Sequence, residues 1–423
     1  MNWLLLSLFK VKRWCWSNII LNQYSSKKKG INYLESKIPV LKRIYSIDFT
    51  RGLVMIIMAL DHVRDLLHVS SVTQRPTDLT TTTPILFFTR WVTYLCAPIF
   101  VFLAGTSAYL SFKSRGNLSE SRKFLLKRGL WIVLLEFSAV NFALFFDAGF
   151  HTLIFEVIGA IGFGFIILSL LLKSSLKTIC ITGLIIIFFY GLLPLTPGST
   201  INTILSLLFS SSAFTISSSH VFIMGYPPIP WLGIMLVGFA AGKLFELPGD
   251  QRKKIFIRIG LGSLLLFIFL RFINVFGDPF PWSSQKDSIF SFLSFINISK
   301  YPPSLLFCLV TMGIMFLVLA FAERENRFTP IVLVYGKVPL FYFVLHFYII
   351  HILLLIILFF QGIHWSEMTF ATGTFGRPVG KESGLALWVI YIIWIAIVTL
   401  LYIPCNWFGK YKSGHHYWWL RYL

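Results

Sequence analysis

Ten stretches of mainly apolar residues, each close to the length of a bilayer-spanning helix, run through this chain of 423 residues. They lie near 46–68, 84–112, 124–147, 150–172, 176–194, 229–246, 254–276, 303–321, 330–358 and 384–407. Hydrophobic residues make up 56% of the chain and charged ones only 13%, against about 25% charged in a soluble domain. Such a chain cannot cover its surface with polar groups, which excludes a soluble globular domain, a disordered chain and a secreted disulfide scaffold. The expectation is an all-α polytopic membrane protein of about ten transmembrane helices. The Ser-rich stretch 200–228, ending in "GYPPIP", reads as a re-entrant or interfacial segment rather than a further span.

Orientation follows the Lys and Arg residues in the loops. Twenty-seven of the 37 fall on one side of the predicted spans, nine of them before residue 46. Both termini are therefore expected in the cytoplasm. Residues 1–42 form a basic cytoplasmic tail and 43–423 the membrane domain. The net charge of +20 is topogenic on this reading, and nucleic acid is not an expected partner. The five cysteines are scattered, without metal-ligand or disulfide spacing. No phosphate-binding loop, HExxH pattern or nucleophile elbow is present.

Ionisable groups inside apolar spans are costly, so each is a functional candidate. The first span is the richest: "YSIDFTRGLVMIIMALDHVRDLLH" carries Asp48, Arg51, Asp61, His62, Arg64 and Asp65. Arg51 and His62 are eleven residues apart, three helical turns, and so share one face about 16 Å apart along the axis. A polar stripe of that length must line a cavity or pair with neighbouring helices. Asp48 with Arg51 is alternatively an interfacial ion pair, and Asp61 and Asp65 alternatively end the helix. Further candidates are Arg90 in the second span, Arg128 and Glu136 in the third, and Lys337 and His346 in the ninth. Arg90 is a conceivable partner for Glu136. His346 reads more naturally as a hydrogen-bonded core histidine, and Lys300 as an ordinary surface anchor.

Six segments in order carry a resemblance: "RIYSIDFTRGLVMIIMALDHVRDLLH", "FFTRWVTYLCAPIFVFLAGTSAYLS", "IPWLGIMLVGFAAGKLF", "SKYPPSLLF", "YGKVPLFYFVLHFYIIH" and "WWLRYL". From about residue 43 to 423 the chain resembles bacterial members of the heparan-α-glucosaminide N-acetyltransferase catalytic-domain-like family. Arg51-Gly52 followed by His62 is also similar to the first helix of the wider membrane acyltransferase superfamily. The resemblance implies transfer of an acetyl or other acyl group from cytoplasmic acyl-CoA, as donor substrate, to a sugar or amino-sugar acceptor. It implies His62 as the catalytic histidine and Arg51 in donor handling. For such a reaction the predicted topology puts Arg128 with Arg51, and Asp48 beside it, at the cytoplasmic end where the diphosphate of coenzyme A would approach. It puts Asp61 or Asp65 next to His62, the base or acyl carrier. Arg90 or Lys337 would stabilise an oxyanion. The animal lysosomal enzyme has asparagine where His62 aligns and its proposed active histidine in the following loop. Here His68 is the nearest loop histidine. A bacterial cytoplasmic membrane is the expected location, and a homo-oligomer is compatible with the sequence. The competing reading is a proton-coupled transporter that uses the Asp48/Arg51/His62 stripe.

Overall fold

A helix that carries five charged residues is excluded from lipid unless other protein surrounds it, and that constraint places the first helix at the centre. The computed structural model describes residues 44–193, 200–323, 329–371, 373–415 and 417–422. The basic tail expected over 1–42 lies outside the described residues. Helix α1, Tyr45–Leu67, buries sixteen of its 23 residues, Asp48, Asp61 and Arg64 among them. Around it pack α2 (Pro84–Thr93), α3 (Cys96–Arg115), α12 (Leu305–Phe321), α13 (Thr329–Lys337), α14 (Pro339–Phe360) and α15 (Leu387–Gly414).

Helix ends follow local chemistry. Thr83 caps α2 by accepting from the Leu86 amide at 3.3 Å, and Pro84 takes the first turn, where its missing N–H costs nothing. Gly116, at φ +64°, closes α3 in the left-handed conformation that glycine adopts most freely. Asn117 then caps α4, Leu118–Leu135, through the Glu120 amide at 3.1 Å. A π-helical turn, Glu136–Val140, joins α4 to the short α5, Asn141–Phe145.

Among the described residues, six helical segments are long and apolar enough to cross a bilayer: Pro84–Arg115, Leu118–Phe145, Pro228–Glu246, Gly249–Ile273, Pro339–Phe360 and Leu387–Gly414. The other predicted windows resolve differently, each for a physical reason. The first is too charged to qualify by composition. The window 150–172 opens with a strand, β1 (Thr152–Phe155), before α6 (Val157–Leu171). The window 176–194 holds the 14-residue α7, Leu176–Phe189, and a 3-10 turn. Helix α12 has 17 residues. The window 330–358 breaks at Val338 before Pro339, which separates α13 from α14. The stretch 200–228 becomes α8 (Thr200–Phe209), β2 (Ser212–Thr215) and β3 (Val221–Met224). β3 is central in the sheet, parallel to β1 with Thr152 opposite Val221, and antiparallel to β2 with Ser212 opposite Met224. Helices α9 (Pro228–Ala241), α10 (Gly249–Ile273) and α11 (Ser288–Ile296) complete the described helices.

Glycine closes several helix crossings, two of them most tightly. A Cβ at Gly336 of α13 would fall 1.8 Å from the Asp48 carbonyl oxygen, and one at Gly52 of α1 2.0 Å from that of Val332. At the α3–α9 crossing, Gly105 and Gly238 face the Met235 and Phe102 carbonyls in the same way, at 2.1 and 2.2 Å. With apolar lipid outside, close backbone packing of this kind holds helices together where hydrophobic burial does not. Gly336→Ala and Gly238→Ala are therefore each expected to cost about 1–3 kcal/mol through forced separation of the helices. Thermal unfolding in detergent checks this, with Gly262→Ala as the control, because a Cβ at Gly262 meets nothing within 4 Å. An unchanged Tm for both crossing variants would contradict the packing.

Candidate active site

The α1 stripe runs along two cavities in succession. Arg51 and Met55 line the first, of about 290 Å³, and Met58, Asp61, His62, Asp65 and Leu66 the second, of about 240 Å³. Phe100, Val157 and Phe343 line both, so three apolar side chains from α3, α6 and α14 form the partition between them.

The first cavity is basic. Besides Arg51 it is lined by Arg128 of α4, Lys337 at the end of α13 and Lys412 of α15. The Arg51 guanidinium donates to the Leu103 carbonyl at 3.1 Å and to the Ser107 hydroxyl, and stands 3.5 Å from the Asp48 carboxylate. Asp48 is thus an ion-pair partner one turn away and does not itself line the cavity. Arg128 lies near the Phe124 and Phe165 rings, at 6.0 and 5.7 Å from their centroids, and its buried Nε has no hydrogen-bond partner among the described residues. No acidic side chain lines this cavity among the described residues.

The second cavity is mixed in charge and rich in aromatics. Asp61 is clamped by two guanidinium groups, with Arg64 donating to Oδ1 at 2.8 Å and Arg90 to Oδ2. Arg64 also reaches Asp65 at 2.7 Å, and Arg90 stands 3.8 Å from Asp65. Arg64 is 1% exposed, so this charge cluster is an internal feature and not a solvated helix end. Facing it are Glu156, Tyr226, Lys300 and Tyr301. Lys300 is 5% exposed, with its ammonium 4.9 Å from the Tyr301 ring centroid and 5.8 Å from those of Tyr94 and Tyr226. The expectation of an ordinary surface anchor is therefore corrected: Lys300 is a buried cation held over tyrosine faces. The Tyr301 hydroxyl lies 3.4 Å from both Arg90 and the Tyr226 hydroxyl.

His62 sits on the wall of this cavity, stacked on Phe347 at 4.3 Å between centroids. Its Nδ1 is 2.6 Å from Nε2 of His346, so His346 is no isolated core histidine but the partner of His62. Two expectations move. Arg90 binds Asp61, not Glu136. Glu136 is fully buried behind the cavity, where Oε1 accepts from the Glu156 amide at 2.6 Å and so fixes the start of α6. Lys337 lines the basic cavity, on the other side of the partition from His62.

The sequence pointed to the α1 residues, Arg90, Arg128, Lys337 and His346. It left Glu156, Tyr226 and Tyr301 unweighted. The only local signal for the two tyrosines was the shared Tyr-Pro-Pro of "GYPPIP" and "KYPPS", rigid turns that aim a tyrosine back into the bundle.

Compared with known proteins, residues 43–272 match the family described as heparan-alpha-glucosaminide N-acetyltransferase, catalytic, which is more than half of the chain. No curated protein matches.

The charge cluster makes its own prediction. Removing one partner of a buried ion pair leaves an uncompensated charge, at a cost of about 3–5 kcal/mol. Arg64→Met leaves Arg90 alone between two carboxylates and is expected to cost up to that much in detergent unfolding, and Asp65→Leu in the same chain to restore part of it by removing the excess negative charge.

Proposed function

Because the chain belongs to the heparan-α-glucosaminide N-acetyltransferase catalytic family and is a multi-pass membrane protein of the acetyltransferase type, we propose that it moves an acetyl group from cytoplasmic acetyl-CoA to a sugar acceptor at the opposite face of a cell membrane. The observation that carries this reading is the pair of cavities on one face of α1, one basic and one bearing His62, with Phe100, Val157 and Phe343 common to both walls.

The donor enters the basic cavity. Its phosphates meet Arg51, Arg128 and Lys337, and an arginine suits phosphate through paired N–H donors. The thioester arm passes the partition along α1, over the about 16 Å between the levels of Arg51 and His62. The acceptor occupies the second cavity, where Glu156, Tyr226 and Tyr301 offer hydrogen bonds to a polyhydroxylated ring. His62 then takes a proton from the acceptor nitrogen or oxygen as that atom attacks the thioester carbonyl. The C–S bond breaks, and the coenzyme A thiolate takes the proton back from His62. Arg90, on the same wall, favours the oxyanion that forms in between. On this reading the basic end, with both termini, faces the cytoplasm, and about ten helical segments cross or enter the bilayer. The chain consumes acyl donor, which a transporter does not, and the family favours group transfer.

The test is release of free thiol from acetyl-CoA by the purified protein with a panel of amino sugars and neutral glycans. Acceptor-dependent release is expected from the wild type, and none above background from His62→Ala. Arg128→Ala is expected to raise KM for acetyl-CoA about tenfold with kcat little changed, the loss of one charge-assisted contact worth about 1.4 kcal/mol. Transfer that survives His62→Ala in the folded protein would overturn the role given to His62. Absence of both thiol release and acetyl-CoA binding would overturn the whole reading.

A further inference from the structure

His62 and His346 are 284 residues apart in the chain, and the bonds around them determine which ring nitrogen carries a proton. His346, on α14, is fully buried, and its Nδ1 lies 3.1 Å from the Tyr342 carbonyl oxygen. A carbonyl oxygen only accepts, so Nδ1 of His346 is the protonated nitrogen and Nε2 of the neutral ring carries a lone pair. That Nε2 faces Nδ1 of His62 at 2.6 Å. With an acceptor in front of it, His62 Nδ1 must donate, and the lone pair of the neutral His62 ring is left on Nε2.

The surrounding rings leave the pair little freedom. His62 stacks on Phe347 at 4.3 Å and 25°, and Phe343 stands edge-on to it at 6.2 Å. His346 stacks on Tyr342 at 5.5 Å and lies 4.4 Å from Phe347. The obvious rival for the orienting role is the neighbouring carboxylate, Asp61. Its two oxygens are taken by Arg64 and Arg90.

We propose that His346 is a positioning residue for the reaction: it holds His62 in the Nδ1–H tautomer, so that Nε2 is the basic atom presented to the acceptor cavity. This rests on the reading of His62 as the acid–base group of acyl transfer. In the step, the acceptor N–H or O–H gives its proton to His62 Nε2 while its heavy atom bonds to the thioester carbon. The His62 imidazolium keeps its Nδ1–H bond to His346 throughout, and its Nε2 proton passes to the departing thiolate. The arrangement follows the logic of a base oriented by a third group, with a neutral imidazole where a carboxylate is commonly found. A neutral acceptor orients the ring without adding another negative charge to apolar surroundings, where an unpaired one is costly.

The experiment compares wild type, His62→Ala, His346→Gln and His346→Phe in acetyl transfer from acetyl-CoA to the amino-sugar panel. Alongside, the wild type labelled with 15N-histidine is examined by NMR, with His62→Asn to assign the His62 signals. Glutamine supplies an amide oxygen to His62 Nδ1–H; phenylalanine fills the space with no acceptor. His346→Phe is expected to lose about 100-fold in kcat, the low end of what a positioned acid–base group contributes, with KM for acetyl-CoA unchanged. His346→Gln is expected to recover most of that loss. The wild-type spectrum should show His62 protonated at Nδ1 and bare at Nε2, and His346→Phe should lose that pattern. A wild-type His62 protonated at Nε2 instead overturns the proposal whatever the kinetics show. Transfer abolished in His62→Ala but undiminished in His346→Phe overturns the positioning role alone. Transfer that persists in His62→Ala overturns the role of His62, and the positioning role falls with it.

Discussion

The need to neutralise and shield the charges of α1 governs much of this structure. Asp48, Arg51, Asp61, Arg64 and Asp65 lie on one helix, and three of the five are nearly inaccessible. In water such a helix would be unremarkable. Within a bilayer, each charge needs a partner and the helix needs protein on all sides. The bundle meets both demands: Arg90 is supplied from α2 to complete the Asp61 clamp, Ser107 and a backbone carbonyl of α3 take Arg51, and the Gly52–Gly336 crossing lets α13 lie directly against the charged face. The short, broken helices around α1 follow from this role. They need not each face lipid over a full bilayer thickness if they are packed against a central helix.

What the sequence made legible was what a single helix can express. The 3.6-residue period alone puts Arg51 and His62 on one face, and the structure turns that face into the wall of both cavities. Apolar stretches marked where helices would run, yet a continuous apolar run does not reveal its conformation. Thr152–Phe155 is a strand because β3 lies ready to pair with it, and nothing within "TLIF" distinguishes that from a helical turn. The division of 330–358 was signalled by Pro339, but apolar residues on both sides masked the break. The partner of His62 was illegible for a different reason. His346 carries no local mark of its role, because contact between residues 284 positions apart is a property of the packed bundle. Lys300 was misread on the same account: a lysine beside two prolines looks like a surface group until three tyrosines from three different segments surround it.

The site also divides its labour by depth. Near the Arg51 level the cavity wall offers cations and apolar surface, which suits an anionic, elongated ligand without specifying its reactive end. Near the His62 level it offers carboxylate, phenol, ammonium and imidazole groups within one small chamber, which suits discrimination among polar ligands. If the proposed reaction holds, Arg128 of α4 and Lys412 of α15 would bear on the first ligand alone and Tyr226 and Lys300 on the second alone, while α1 serves both.

The partition of Phe100, Val157 and Phe343 has an electrical consequence as well as a steric one. Two polar chambers placed end to end inside a membrane protein come close to forming a pore, and a pore would dissipate the potential on which the cell depends. Three hydrocarbon side chains between them act as an insulator, since neither a hydrated ion nor a proton chain crosses apolar surface without a large penalty. A flexible acyl arm filling the gap as it passes would keep that seal intact. On the proposed reaction, that arrangement would let a chemical group cross a barrier that remains closed to charge.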